Sequence, residues 1–190
     1  MTTVEKSSKE TNMANLSQTD IEMYGTDEAI AAATADIKSI VHGTDPDFLY
    51  LVPNKGELGK NGYNSLEADQ LDFNPNSIII SGSGRWAGPD KYIAHLMEEY
   101  GLTGTYTDSE NGCNFFYRTE FEEGKLTKEI ESSYFSNESI KYFGIDYFLE
   151  HYAYISEEDD WEDDWKDEIK LFADNGYSFA DLKEAWKGYT

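Results

Sequence analysis

The stretch from Ile78 to Gly124 constrains this chain more than any other, because strand, helix, turn and strand signals follow one another there without a gap. Ile78-Ile79-Ile80 is a continuous β-branched run, the composition of a strand covered on both faces. Ser81 to Gly88 is small and glycine-rich and is expected to end that strand in a turn. Pro89 has a fixed φ and no amide donor, so it predicts a helix starting beside it, with Asp90 at the positive end of the dipole. Ile93, Leu96, Met97 and Tyr100 form a one-sided apolar stripe, and Gly101 closes the helix. Tyr106 and its neighbouring threonines read as a strand, Asn111-Gly112 supplies the positive φ values of a tight hairpin, and Cys113 to Phe121 alternates. Cys113, Phe115, Tyr117, Thr119 and Phe121 point one way, and Asn114, Phe116, Arg118 and Glu120 the other. Glu123-Gly124 turns the chain again, and Leu126, Ile130 and Tyr134 fit a further antiparallel strand.

Upstream, residues 1–16 lack periodicity and are expected to be disordered. Ser17 or Thr19 can cap a short helical turn ending at Gly25. A clearer helix begins at the Thr26 cap, carries Asp27-Glu28 in its first turn and runs to about His42, with Ile30, Ala33, Ile37 and Ile40-Val41 at helical spacing. Phe48 to Val52 is a short strand, Pro53 to Asn64 a loop holding Lys55 and Lys60, and Leu66 to Leu71 a marginal helical turn. Ser136 can cap a helix with Ile140, Phe143, Tyr147 and His151 on one side, with Gly144 as a packing contact or a kink.

The composition changes at Ser156. From there to Thr190, twelve acids and four lysines give a net charge of −8. Trp161, Trp165, Ile169 and Phe172 make one apolar stripe, Asn175-Gly176 ends the helix, and Ser178 caps a second with Leu182, Ala185 and Trp186. The end of the chain therefore reads as an acidic helical hairpin over 156–190.

The chain's formal charge of −23 argues against direct contact with a nucleic-acid backbone, which requires Lys and Arg to displace counterions. A 15% aromatic content separates it from acidic disordered tails. No apolar run approaches a membrane span or a signal peptide, and a single cysteine forms no internal disulfide, so a reducing cytoplasm is the expected compartment. Cys113 itself is expected to be a buried small hydrophobe.

Four features could carry chemistry. Glu157 to Glu168 holds nine carboxylates in twelve positions, namely Glu157, Glu158, Asp159, Asp160, Glu162, Asp163, Asp164, Asp167 and Glu168. Such a helix can occupy the basic groove of a nucleic-acid-binding protein, or can simply be a solvated face anchored by its tryptophans. Second, Ser81, Ser83 and Arg85 ahead of a helix could cradle an anion on backbone donors, with Lys55 and Lys60 nearby; a structural turn is the competing reading. Third, the acidic run lacks the D-x-[DN]-x-[DN]-G order and sixth-position glycine of a calcium loop, and Asp174-Asn175-Gly176 is explained by a helix stop, so no metal is expected. Fourth, His42, His95 and His151 show no metal-binding or catalytic spacing. Neither catalytic residues nor a cofactor is expected, and the chain is not expected to be an enzyme.

Arg85-Trp86-Ala87-Gly88-Pro89, the helix ending Glu99-Tyr100, Glu110-Asn111-Gly112 and Glu123-Gly124 together resemble the Api92-like family, whose domain also occurs in plasmid YubB-type proteins. The resemblance covers roughly 78–154, with Phe48 to Pro53 and Glu57-Leu58 similar to a further family strand and loop. It lacks the family's usual opening strand and its tryptophan-rich middle segment. The resemblance implies a ferredoxin-like fold and a phage or plasmid origin, and brings no catalytic residues. The expected architecture is thus α+β over 17–155, an antiparallel ferredoxin-like sheet of four to five strands with helices on one face, followed by the hairpin. The expected function is a non-enzymatic accessory protein that binds a basic host protein, as an anti-defence inhibitor mimicking nucleic acid. A nucleotide-like ligand binder at Ser81 to Pro89, or a structural, oligomerising module, are the alternatives.

Overall fold

A computed structural model of the protein describes residues 16–43, 49–52, 65–85, 87–110, 113–134, 136–144, 147 and 166–178. In chain order the described elements are β1 (Leu16–Tyr24), α1 (Asp27–Ile40), β2 (Val41–His42), β3 (Leu49–Leu51), β4 (Leu66–Asn74), β5 (Ser77–Arg85), α2 (Asp90–Tyr100), β6 (Thr103–Glu110), β7 (Phe115–Glu122), β8 (Lys125–Ser132), α3 (Asn137–Phe143) and α4 (Lys166–Asp174). All eight strands join one antiparallel sheet in the order β2-β3-β4-β5-β1-β6-β7-β8. The expectation of a four- or five-stranded ferredoxin-like sheet with helices on one face is therefore wrong. The sheet has eight strands, and helices lie against both of its faces.

Three strands went unseen: β2 (Val41–His42) takes residues expected to end the Thr26 helix, which stops at Ile40 because Val41 is extended, and the other two have separate physical reasons. β1 replaces the helical turn expected at residues 17–25, and its inward positions are Ser17, Thr19, Ile21 and Met23. Only two of those four are apolar, so the period-2 signal is half silent. The hydroxyls are nevertheless satisfied, with Ser17 Oγ donating to the Gly84 carbonyl at 3.4 Å and Thr19 Oγ1 to Asp108 at 3.2 Å. β4 replaces the marginal helical turn at Leu66 to Leu71. A bulge between Ala68 and Gln70 shifts its register, so the core residues fall at Leu66, Ala68, Leu71 and Phe73, a spacing that breaks strict alternation.

The glycine-rich run Ser81 to Gly84 continues β5 instead of turning away from it, paired on one side with β1 and on the other with β4. Gly82 lies against the bulge, and a Cβ there would overlap the Glu67 carbonyl oxygen. Glycine is needed where two backbones approach this closely.

On the first face, α1 and α2 cover the sheet. Thr26 caps α1 by accepting the Ala29 amide, and Ile30, Ala33, Ile37 and Ile40 face inward as their spacing predicts. From α2, Tyr92, Ile93, Leu96 and Met97 join them over Ile21, Met23, Ile78, Ile80 and Tyr106. Gly101 ends α2 in the left-handed conformation, as expected. On β7, Tyr117 and Phe121 pack into this core. The expected alternation of that strand holds from Phe115 to Phe121, but Cys113 lies before it in a turn and is exposed, not buried.

On the second face Phe116, the one apolar residue among Asn114, Arg118 and Glu120 on that side of the strand, is fully buried. Its ring sits 5.8 Å from Tyr142 and 5.9 Å from Phe143, both on α3. The Ser136–Ser139 capping box starts α3, and Gly144 follows its last residue at φ 83° with nothing within 4 Å of its Cβ position among the described residues, so this glycine is not a packing contact there. The described part of the acidic extension reaches α3, since Asn175 Nδ2 donates to Asn137 Oδ1 at 2.8 Å and Phe172 is buried. Gly176 follows α4 at φ 90°, the expected helix stop.

Phe116 therefore tests whether the second face is a packed layer. Phe116→Ala is expected to cost about 3 kcal/mol, whereas Leu126→Ala, at an exposed β8 position, should stay within about 0.5 kcal/mol, both measured by urea denaturation. Equal small effects would show that α3 does not bury that face.

Candidate functional site

The alternation of six adjacent strands assembles a polar surface on the second face. One transverse row runs Gln70, Ser81, Asp20, Thr107, Arg118 and Ile130, and the next runs Asp72, Ile79, Glu22, Thr105, Glu120 and Lys128. Tyr142 and Phe143 lie over part of it and border two grooves.

The first groove, of about 390 Å³, carries three basic side chains, Arg118, Lys128 and Lys141, against two acidic ones, Glu120 and Glu138. Arg118 donates from Nη1 to Thr107 Oγ1 at 3.0 Å and from Nε to Glu120 Oε1 at 3.1 Å, and its guanidinium lies 4.6 Å from the centre of the Tyr142 ring. Lys128 Nζ reaches the same Glu120 oxygen at 3.4 Å. The hydrogen bond from Arg118, aided by Lys128 and opposed by burial, holds the Glu120 carboxyl below its usual range.

The second groove, of about 450 Å³, is lined by Asp20, Glu22, Gln70, Ile79, Ser81, Tyr142 and Phe143. Asp20 is half-buried, and burial raises its carboxyl, against a lowering hydrogen bond from Gln18 and with a smaller raising contribution from the charge of Glu22. Among the described residues no basic side chain forms an ion pair with Asp20 or Glu22.

A further carboxylate is almost wholly enclosed. Asp108, 2% exposed, sits on the first face under the start of α2. Its Oδ2 accepts the Gly88 amide at 2.9 Å and the Tyr106 hydroxyl at 3.2 Å, while Oδ1 accepts Thr19 Oγ1 at 3.2 Å. Burial raises its pKa above 3.8, opposed first by the Gly88 amide and then by the hydroxyls of Ser17, Thr19 and Tyr106. These partners are chain groups holding the turn before α2, so Asp108 acts as a structural clamp. A Cβ on Gly88 would collide with the Thr19 and Tyr106 hydroxyls, so the turn meets the sheet with no room to spare.

Of the residues expected to bind, Ser81 lines the second groove and Ser83 lies one row beyond it on the same face. The amides of Ser81 to Gly84 belong to a strand paired on both sides, and α2 starts five residues after Arg85, at Asp90, so this stretch does not form the expected backbone nest for an anion. Arg85 ends β5. Lys55, Lys60, Glu157, Glu158, Asp159, Asp160, Glu162, Asp163, Asp164 and His151 lie outside the described residues. Asp167 and Glu168 lie on α4. His42 is on β2 and His95 on α2. Among the described residues, no group of three or more His, Cys, Asp or Glu side chains is arranged to hold a metal ion, and no helix is long and apolar enough to cross a membrane.

The sequence reading missed Asp20, Glu22 and Gln70 as a group. Their convergence depends on β1 lying beside β5, and on the bulge that places Gln70 opposite Ser81. Comparison of the chain with protein-family models, curated proteins and solved structures finds no match in any of the three, so the Api92-like resemblance rests on the quoted motifs alone.

Asp108 makes the pH dependence of stability predictable. Its native pKa stands above the unfolded value, so its favourable contribution is complete below pH 3.8 and is lost as pH rises through the native pKa. Asp108→Asn keeps an acceptor for Gly88 and a donor for the hydroxyls. It should gain stability relative to wild type as pH rises from 4 through the native pKa, then level off. Asp108→Ala leaves the amide and hydroxyls unpaired and should cost about 2–3 kcal/mol at neutral pH. Denaturation curves across pH that run parallel for wild type and Asp108→Asn would contradict this assignment.

Proposed function

We propose that the protein is a non-enzymatic acidic binding protein that engages a basic, nucleic-acid-binding protein and inhibits it by occupying its basic surface. The placement of charge carries this reading. The last turn of α2 holds Glu98 and Glu99 and no basic residue, although negative charge at a helix C-terminus opposes the dipole. The β7–β8 turn abuts that same end, with the Gly124 amide donating to the Leu102 carbonyl at 2.9 Å, and it adds Glu122 and Glu123. Four exposed carboxylates thus gather where local stability favours cations, on a chain of net charge −23. An electrostatic partner gives a reason to keep such an arrangement. The acidic segment from Glu157 to Glu168 is the second contact region in this proposal, and a host factor of bacterial defence is the proposed target class.

A small-ligand binder is the second reading, favoured by one observation, that Ser81 lines a groove.

The test captures partners from a bacterial lysate with tagged protein, comparing wild type with two variants. One changes Asp159, Asp160, Asp163 and Asp164 to Asn, and the other is Glu98→Lys/Glu99→Lys. A basic nucleic-acid-binding protein should be retained at low salt, released as ionic strength rises, and held less well by either variant. Glu98→Lys/Glu99→Lys should meanwhile raise stability by about 0.5–1 kcal/mol, so binding and stability move in opposite directions. Capture that is indifferent to salt and to both variants would sink the electrostatic reading.

A further inference from the structure

The two grooves of the second face treat their carboxylates differently. Glu120 receives Arg118 and Lys128 from its own sheet, whereas Asp20 and Glu22, two strands away on the same face, form no ion pair among the described residues. They stand two positions apart on β1, about 7 Å along the strand, so their charges repel each other. Asp20 is also half-buried, where solvent screens that repulsion less. Around them stand Gln70, the Ser81 hydroxyl, the apolar floor of Ile79 and the rings of Tyr142 and Phe143, bordering an open groove of about 450 Å³. Carboxylates beside aromatic rings in a groove favour an organic cation, whose charge meets the oxygens while its methylenes or planar face meet the rings. Tyr142 already does this with Arg118 on the side of the other groove.

We propose that the groove of Asp20, Glu22, Gln70, Ser81, Tyr142 and Phe143 binds an ammonium or guanidinium group, supplied in the complex by a lysine or arginine side chain of the basic partner. This rests on the partner reading given above, but it names a different surface from the acidic helix and from the end of α2. Asp20 and Glu22 supply the charge, Gln70 and Ser81 supply acceptor oxygens beside it, and Tyr142 and Phe143 cover the methylene stem.

The probes are Nα-acetyl-arginine amide and Nα-acetyl-lysine amide, titrated into the full-length protein by NMR, with Nα-acetyl-glutamine amide as the uncharged control. Both cationic probes should shift the amide signals of Asp20, Ser81 and Tyr142, and the glutamine probe should not. Asp20→Asn/Glu22→Gln should weaken probe binding about tenfold, the loss of one or two charge-assisted hydrogen bonds. The charge-matched control Asp27→Asn/Glu28→Gln, on exposed positions of α1, should change it less than about twofold. Tyr142→Leu retains both carboxylates and should weaken it about threefold. Equal weakening by the two charge variants, or shifts spread over the acidic surface and absent at Ser81 and Tyr142, would overturn the proposal.

The lysate capture separates the two readings. A partner lost with Asp20→Asn/Glu22→Gln supports both. A partner captured unchanged by that variant overturns the groove as its contact and leaves the electrostatic reading standing. Groove-specific probe binding with no basic partner captured supports the cation site, with a free amine as its ligand, and overturns the partner reading.

Discussion

Everything in this molecule depends on one strand finding two distant neighbours. β1 lies between β5 and β6, so residues near position 20 must pair with residues near 80 and near 107. The α1 and α2 connections let those strands arrive antiparallel on either side, and both helices then cover the face where Ile21 and Met23 point. Closing such long loops before the contacts form is costly in chain entropy, so this strand order slows folding. The Asp108 clamp belongs to the same junction, because its acceptor oxygens tie β1, β6 and the turn before α2 together. Substitutions along β1 would thus be felt in elements far away in sequence.

The parts of the fold that could be read directly were those whose signal is local. Thr26 with Ile30, Ala33 and Ile37, the α2 stripe closed by Gly101, and the alternation from Phe115 to Phe121 each contain their own evidence within about ten residues. β1 and β4 did not. In β1, hydrogen-bonded hydroxyls stand where apolar side chains would have marked the pattern, and in β4 a bulge turns alternation into a spacing that mimics a helix. Without these two strands and the short β2, five of the eight strands remain. The Ile78-Ile79-Ile80 run did signal coverage on both faces, and Ile79 lies under α3 in the second groove. Expecting helices on one face only was inconsistent with that clue.

Ser81 was picked out for backbone donors that the sheet ladder in fact uses, yet its side chain borders a groove. Asp20 and Glu22 were invisible as a pair with Gln70 because nothing in a linear sequence joins position 20 to position 70 until β5 is placed between them. Charge, by contrast, was legible as a total and as the run from Glu157 to Glu168, but not where it joins distant turns. Only the packing of Gly124 near Gly101 brings the carboxylates of two separate turns to one end of the sheet.

β8 has a consequence for the protein's behaviour in concentrated solution. It is the last strand of the sheet, and its exposed residues include Leu126 among Lys125, Lys128, Glu129 and Glu131. An edge of this kind is a template for another strand, and here mixed charges along the strand and the repulsion between whole acidic molecules stand in the way. Both barriers are electrostatic and weaken as ions are added. Ionic strength therefore acts on colloidal behaviour in the sense opposite to salting-in: a crowded, saline solution is the one in which two copies can approach edge to edge.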